Sequence, residues 1–205
     1  MNERSYDNQP PELAEVARER PKSNFWKEIV KFTFITLIIV IPFRLYIAQP
    51  FIVSGASMDP TFADGEYLIV DQISKRLEAP KRESVIIFKY PKDTSKFFIK
   101  RIIGLPGETV KITDGVVTIF NSEFPKDTTL GLTLNEPYVA GENKKGEDFT
   151  VVLSDSEYFV LGDNRLGSFD SRSWGPVQKN LIVGRPIVRL LPITRLNFSP
   201  GDFSN

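Results

Sequence analysis

The sequence predicts a mainly antiparallel β domain that follows one N-terminal transmembrane helix. Short runs of β-type residues, separated by turn dipeptides, fill the chain from Pro50 onward. An apolar stretch with a basic flank precedes them, and no strong amphipathic helix follows. With 205 residues, the chain can form one globular domain of ordinary size in addition to an anchor. These features favour an antiparallel β fold over an α/β fold.

The apolar stretch extends from about Ile29 to Ala48 and is uncharged between Phe32 and Phe43. A helix of about 20 residues spans about 30 Å, which is the thickness of the hydrocarbon core of a bilayer. Pro42 is expected to kink the last turns, and Arg44 is expected to reach the headgroups with its long side chain. The stretch is therefore interpreted as a transmembrane helix.

Basic residues precede the uncharged run that begins at Phe32, namely Arg20, Lys22, Lys27 and Lys31. The positive-inside rule then places the N-terminus in the cytoplasm and the chain after about Ala48 outside. A cleaved secretory signal is the alternative, but no A-x-A-like site follows the run. A buried helix of a soluble protein is a further alternative, although no partner helix is found downstream.

The predicted organisation has four parts. Residues 1–27 form a disordered cytoplasmic tail, residues 28–49 the membrane helix, residues 50–197 the extracytoplasmic β domain and residues 198–205 a C-terminal tail. Within the β domain, residues 109–157 include a possible cap subregion.

Nine β-type runs are expected in the β domain. They are Phe51–Val53, Tyr67–Ile73, Ser84–Tyr90, Phe97–Ile103, Glu108–Thr113, Gly115–Phe120, Thr150–Val152, Tyr158–Leu161 and Ile182–Leu190. The Asp114-Gly115 pair between two of these runs predicts a hairpin with a two-residue turn.

Two missing residue types restrict the chemistry that the chain can perform. Without Cys, thiolate nucleophiles, disulfides and Cys-ligated metals are excluded, and without His, so are a Ser-His-Asp triad and a His-ligated metal. Proton transfer must then use Lys, Tyr, a carboxylate or water. The formal net charge of zero gives no electrostatic case for nucleic acid.

Ser57 lies in a predicted turn, Ser54–Thr61, where Gly and Pro surround it. Such a turn can direct the Ser hydroxyl and its own backbone N–H to the same side. Turn chemistry without a functional role is the ordinary alternative for a Ser in this setting.

Lys100 lies in the predicted strand Phe97–Ile103. Because side chains alternate along a strand, Phe98, Lys100 and Ile102 share one face, while Ile99, Arg101 and Ile103 share the other. Burial among apolar neighbours would lower the pKa of the amine and produce a competent general base. An edge-strand Lys that reaches water is the alternative.

A third stretch, Gly162–Val177, is dense in Ser, Asp and Arg. Asp170 and Arg172 could form an ion pair that stiffens this loop, and Asp163 and Asn164 could bond backbone amides. A solvated turn is the alternative, but the density of polar groups favours a loop that forms part of a site.

In this order behind an anchor, the three stretches resemble the motifs of the type I signal peptidase family. They read S-G-A-S-M-D-P-T, K-R-I-I-G-L-P-G-E and G-D-N-R-L-G-S-F-D-S-R-S-W-G-P-V. The resemblance covers the chain from about Arg44 to Arg189. It implies a membrane-bound serine endopeptidase that removes signal peptides from exported preproteins at the outer face of the plasma membrane.

The resemblance also assigns residue roles. It implies that Ser57 is the nucleophile, that Lys100 is the general base, and that Ser168 orients the lysine. It further implies that Asp170 and Arg172 form a structural ion pair. Gly55 occupies a position where some family members carry a hydroxyl that helps to stabilise the oxyanion.

Val53, Met58, Phe98 and Ile99 are the predicted substrate-pocket residues, since they flank the pair or pack beside it. The expected partners are signal peptides of preproteins, the lipid bilayer and, by proximity, the export machinery. No metal or organic cofactor is implied.

Other functions compatible with the sequence predict other features. A membrane-anchored β domain that only binds partners would make Ser57 and Lys100 dispensable. An autoproteolytic regulator of the SOS-repressor class should be soluble and carry a DNA-binding module, and neither feature is found. A penicillin-binding-type acylase needs an S-x-x-K motif, which the chain lacks.

Overall fold

The computed structural model describes residues 25–42, 48–124, 131–140 and 148–203. It divides the chain into two compact units, residues 1–39 and residues 40–205. The predicted cytoplasmic tail lies almost entirely outside the described residues, as does Arg44.

Helix α1 (Phe25–Pro42) carries apolar side chains on all its faces, and they are exposed. Three charged residues, Lys27, Glu28 and Lys31, occupy its first turns. In the described parts of the chain, no helix has the length and apolarity that crossing a membrane requires. The transmembrane helix predicted over residues 28–49 is therefore not supported. Five of its residues, 43–47, lie outside the described ranges.

Eight strands form the larger sheet, in the order β1-β2-β11-β3-β4-β9-β10, with β12 pairing with β11. Their bounds are β1 Ala48–Ile52, β2 Tyr67–Asp71, β3 Val85–Tyr90, β4 Asp93–Gly104, β9 Glu157–Leu161, β10 Val177–Gln178, β11 Ile182–Leu191 and β12 Asn197–Phe198. All the pairings are antiparallel, which confirms the predicted fold class.

The smaller sheet contains β5 (Thr109–Thr113), β6 (Val116–Phe120), β7 (Leu132–Thr133) and β8 (Phe149–Val152), in the order β7-β6-β5-β8. The predicted hairpin turn joins β5 and β6, where Thr113 pairs with Val116. Asp114 and Gly115 both have positive φ, 48° and 77°, as a two-residue turn of this hand requires. This sheet occupies the described part of the cap subregion, whose residues 125–130 and 141–147 lie outside the described ranges.

Short helices connect the strands. They are α2 (Ser74–Leu77), α3 (Ser171–Trp174) and two 3₁₀ turns, Lys179–Leu181 and Ile193–Arg195. The domain does not end at residue 197 as predicted, because β12 pairs Phe198 with Val188 and Gly201 O accepts a hydrogen bond from Arg101.

Strand β4 lies inside the larger sheet and contributes to the apolar clusters on both sides of it. Ile102 packs with Ile86 and Phe88, whereas Ile103 packs with Val110 of the smaller sheet. This alternation matches the two faces predicted for the strand. The interpretation of Lys100 as an edge-strand residue that reaches water is wrong, because Lys100 is buried.

Candidate active site

Three segments meet at the candidate site. They are the Ser57 loop (residues 53–62) between β1 and β2, strand β4, and the Asp170 loop (residues 162–170), which follows β9. The register of the larger sheet places the start of the Asp170 loop near the middle of β4, because Arg101 pairs with Leu161. The Ser57 loop reaches β4 through the contact of Ser57 with Lys100. Residues far apart in sequence are thereby brought together.

Lys100 and Ser57 form the centre of the site. Lys100 Nζ lies 2.7 Å from Ser57 Oγ and donates to Ile99 O at 2.9 Å. Lys100 is only 4% exposed, and its ammonium lies 5.5 Å from the centre of the Phe98 ring. Burial lowers the pKa of Lys100 from 10.5 to about 8, against the attraction of Asp170 and Asp163, which raise it. A substantial fraction of the amine is therefore neutral slightly above neutral pH.

Hydrogen bonds from its backbone N–H groups hold the Ser57 loop in place. Val53 N donates to Glu66 O at 2.9 Å, and Phe62 N donates to Met58 O at 2.9 Å. Gly55 N donates to Asp64 Oδ1 at 2.7 Å, with Gly55 in the left-handed region at φ 87°. Such a conformation favours glycine. The loop therefore presents Ser57 from a fixed turn.

Met58 belongs to the Ser57 loop, and its side chain is fully buried. It packs with Val53, Phe62 and Leu68 in one apolar cluster. Met58 is accordingly a core residue beside Ser57, and the prediction that it lines the substrate pocket is not supported by its burial.

The Asp170 loop is joined to the Ser57 loop by hydrogen bonds. Asn164 N donates to Ser57 O at 3.2 Å, and Asn164 Nδ2 donates to Ala56 O at 3.1 Å. Gly162 lies against Ser57 O and Ser168, and a Cβ at position 162 would overlap both. Neither Asn164 nor Gly162 was among the predicted site residues. Asn164 had been expected to accept from a backbone amide, which it also does, from Gly167 N at 3.0 Å.

Ser168 was expected to hydrogen-bond to Lys100. In the structure its Oγ is buried without a hydrogen-bond partner. The hydrogen bonds of Lys100 Nζ go to Ser57 and Ile99. The structure therefore brings Ser168 into the site but does not form the expected bond.

Asp170 and Arg172 form the expected ion pair, with Nε–Oδ1 and Nη2–Oδ2 distances of 2.8 and 2.9 Å. Asp170 is fully buried, accepts from Gly162 N at 3.1 Å and caps α3 by accepting from Arg172 N. This carboxylate ties both ends of the Asp170 loop together.

Asp163 does not bond backbone amides as expected. Its two oxygens accept from Arg101 Nε and Nη2 at 2.9 and 2.7 Å, and Thr61 Oγ1 donates to Oδ2 at 2.5 Å. Both members of the ion pair are fully buried. Arg101, which follows Lys100 and points to the opposite face, thus links β4 to both loops. The only signal for this role in the sequence was the position of Arg101 within an apolar strand.

A cleft of about 310 Å³ opens beside the pair. Its lining includes three of the predicted pocket residues, Val53, Phe98 and Ile99, as well as Ser57 and Lys100. Along the cleft, Phe97 to Lys100 pair with β3, while pairing with β9 begins only at Arg101. One edge of β4 is therefore open towards the cleft.

Within the described residues, no cluster of three or more acidic side chains has a geometry that could hold a metal ion. The contact between Ser57 and Lys100 supports chemistry between a hydroxyl and an amine of lowered pKa, which is suited to acyl transfer.

Comparisons with known proteins find relatives in one family. The family model described as signal peptidase, peptidase S26, matches residues 26–191. The chain is 35% identical to probable signal peptidase I-2 of Synechocystis sp. over 90% of this chain and 82% of the relative. It is 35% identical to signal peptidase I of Leptolyngbya laminosa over 91% of this chain and 90% of the relative. A crystal structure of a signal peptidase I from Enterococcus faecalis aligns with a TM-score of 0.43 at 32% identity, covering 53% of this chain and 97% of that chain.

Proposed function

Since the chain belongs to the signal peptidase (peptidase S26) family, we propose that Ser57 is the nucleophile and Lys100 the general base of its reaction. The family makes the protein a serine endopeptidase that removes signal peptides. The observation that supports the assignment is the 2.7 Å contact between the buried amine of Lys100 and the hydroxyl of Ser57.

In this mechanism the neutral amine of Lys100 accepts the proton of Ser57 as Oγ attacks the scissile carbonyl. Ser57 N donates to the resulting oxyanion. The ammonium of Lys100 then protonates the leaving amine, the C–N bond breaks, and an acyl-enzyme forms. Lys100, neutral again, removes a proton from water, which hydrolyses the ester and restores Ser57.

Ser168, Asp170 and Arg172 support this pair in the proposal. Ser168 Oγ is buried without a partner among the described residues, so it has a hydrogen bond free for the amine of Lys100. Asp170 raises the pKa of Lys100 and, through Arg172, holds the loop behind it. Ser168 is thus a positioning residue whose partner is the lysine.

The substrate would bind in the cleft in an extended conformation. The open edge of β4 from Phe97 to Lys100 offers backbone groups to a peptide that adds a strand there. Val53, Phe98 and Ile99 would form the shallow pockets for the small residues one and three positions before the cut, as the family resemblance implies.

We further propose that α1 attaches the enzyme to a bilayer with the N-terminus cytoplasmic and the catalytic domain outside. The exposed side chains of α1 include Trp26, Phe32, Phe34 and Ile39, at 62–76% exposure. Water would not favour so large an apolar surface. Signal peptides that emerge near the export machinery would then be the substrates.

Cleavage of a preprotein by the full chain in detergent tests this function. Wild type should cut after a small-x-small sequence, as the N-terminus of the product will show, whereas folded Ser57→Ala and Lys100→Ala should be inactive. Full activity of either variant would refute the role of that residue. A folded wild type that cuts no preprotein would favour the partner-binding β domain instead.

A further inference from the structure

A segment of the smaller sheet region, residues 134–139, contacts the base of the Asp170 loop through buried polar groups. Glu136 and Arg165 are each only 5% exposed. Arg165 Nη1 donates to Glu136 Oε2 at 3.1 Å, and Arg165 Nη2 donates to Glu136 Oε1. The contact is therefore a bidentate pair from which water is excluded, the arrangement in which removing one charge has the largest effect.

Tyr138, two residues further along the same segment, contacts the other buried arginine of the site. Its ring lies 3.9 Å from the guanidinium carbon of Arg101, and its hydroxyl donates to Glu136 Oε1 at 3.3 Å. Glu136 and Tyr138 thus contact two of the arginines at the Asp170 loop, Arg165 within it and Arg101, which binds Asp163.

Four hydrogen bonds and one close contact lead from Arg165 to the catalytic pair. Arg165 Nε donates to Gly162 O at 3.1 Å, and Arg165 O accepts from Arg172 Nη2 at 2.6 Å. Arg172 binds Asp170, which accepts from Gly162 N. Gly162 in turn lies against Ser57 O. Both backbone oxygens in these bonds, Gly162 O and Arg165 O, belong to the Asp170 loop.

We propose that Glu136 is a positioning residue for catalysis, which fixes Arg165 and thereby the Asp170 loop behind Ser57 and Lys100. The proposal assigns a role to the smaller sheet region and rests on the proposed Ser57/Lys100 mechanism. Glu136 does not touch the reacting atoms, and it acts only through Arg165.

The physical reason is the cost of a buried charge without its counter-charge. If Glu136 becomes neutral, the guanidinium of Arg165 has to find water or another acceptor. A movement of Arg165 disturbs two further hydrogen bonds. Its side-chain Nε donates to Gly162 O, and its backbone O accepts from Arg172. A displacement of about 1 Å at the catalytic pair can lower the rate about 100-fold.

Glu136→Gln tests the proposal, with single-turnover cleavage of a preprotein by excess full-length enzyme as the readout. We expect the single-turnover rate constant to fall about 10- to 100-fold. The enzyme concentration that gives half of the maximal rate should change less. Glu136→Asp keeps the charge and should recover part of the rate.

Glu108→Gln is the matched control. Glu108 is also 5% exposed and also forms a bidentate pair, with Arg82, at distances of 2.8 and 2.5 Å. None of its hydrogen bonds reaches the Asp170 loop, since its other partners are Leu105 N and Asn121. Glu108→Gln should lower the melting temperature about as much as Glu136→Gln does, while the cleavage rate of the folded enzyme stays at the wild-type value.

If Glu136→Gln does not fold, Arg165→Lys replaces it, because Lys keeps the charge but cannot form the bidentate pair. A wild-type single-turnover rate in the folded variant would overturn the positioning role, and so would an equal loss of rate in Glu108→Gln. Ser57→Ala, measured alongside, separates the two proposals. Activity in Ser57→Ala would overturn the mechanism and the positioning role together, whereas an inactive Ser57→Ala with a normal Glu136→Gln would overturn only the latter.

Discussion

At the scale of single residues, the environment of Lys100 sets its protonation. Desolvation of the ammonium outweighs the attraction of Asp170 and Asp163, so that the pKa falls to about 8. The lowered value means that the folded protein binds this proton more weakly than the unfolded chain does. The fold is therefore destabilised by this group below pH 8 and regains that stability as the pH rises from 8 towards 10.5.

Lys100→Met should reveal this cost in the free energy of unfolding. A shift from 10.5 to about 8 corresponds to about 3 kcal/mol at pH 7. The stability of wild type relative to the variant should therefore improve by about 2 kcal/mol between pH 7 and pH 10. Denaturant unfolding of both proteins at the two pH values measures it. A pH-independent difference between them would show that Lys100 titrates normally.

Sequence patterns located Ser57 and Lys100, but not their surroundings. Alternation along β4 gave the face of Lys100, and the motifs indicated its partner. The lack of a hydrogen bond to Ser168 could not be foreseen, because it depends on rotamers inside a packed loop. Likewise, the role of Asp163 depends on a contact with Arg101, 62 positions away in the sequence.

At the scale of elements, the end of β9 packs directly against the Ser57 loop. Gly162 closes this contact, where it touches Ser57 O and Ser168. Strand β4 and the two loops are thereby fixed at a separation that only a residue without a side chain permits. The precision of the catalytic pair thus depends on close approach between elements as well as on the side chains themselves.

Gly162→Ala should lower activity by about 100-fold, because the added methyl group must push the Ser57 loop or Ser168 aside. Gly104→Ala is the control, since its methyl group would instead overlap Val110 and Leu153 in the core of the smaller sheet. Both variants should lose stability, about 1–3 kcal/mol each. Cleavage assays and thermal unfolding compare them; equal activities would mean that the tight contact at Gly162 is not needed for the reaction.

The longer strands were predictable from sequence, whereas the shortest were not. Each of the nine predicted runs overlaps a strand, and the ends of run and strand differ by at most four residues. Strands β7, β10 and β12 were missed because each has two residues, which is too short for an alternating pattern to be recognised. They form through pairing with neighbours that the local sequence does not specify.

At the scale of the whole molecule, the chain combines a compact β catalytic unit with a helix of exposed apolar side chains. The membrane helix predicted from the sequence covers residues 28–49, of which residues 43–47 lie outside the described ranges. The proposed attachment of α1 to a bilayer makes a prediction for the full chain.

Replacing Ile35 and Ile38 by Asp should release the protein from liposomes. These side chains are 44% and 56% exposed on α1, and an Asp near the centre of a membrane helix costs about 3 kcal/mol. The control replaces Val116 and Val152, which are exposed on the smaller sheet, by Asp. This control variant should remain bound. Cosedimentation after a salt wash measures both, with activity in detergent as the test of folding. Recovery of wild type in the supernatant would contradict attachment by α1.

The pH dependence of single-turnover cleavage tests the central claim most directly, because it reports the protonation state of the base during the chemical step. Lys100 must be neutral to accept the proton of Ser57, so the rate constant should rise with pH through a midpoint near 8 and then level off. A rate constant already at its maximum below pH 6 would contradict the account, because a carboxylate or water would then serve as the base instead of Lys100.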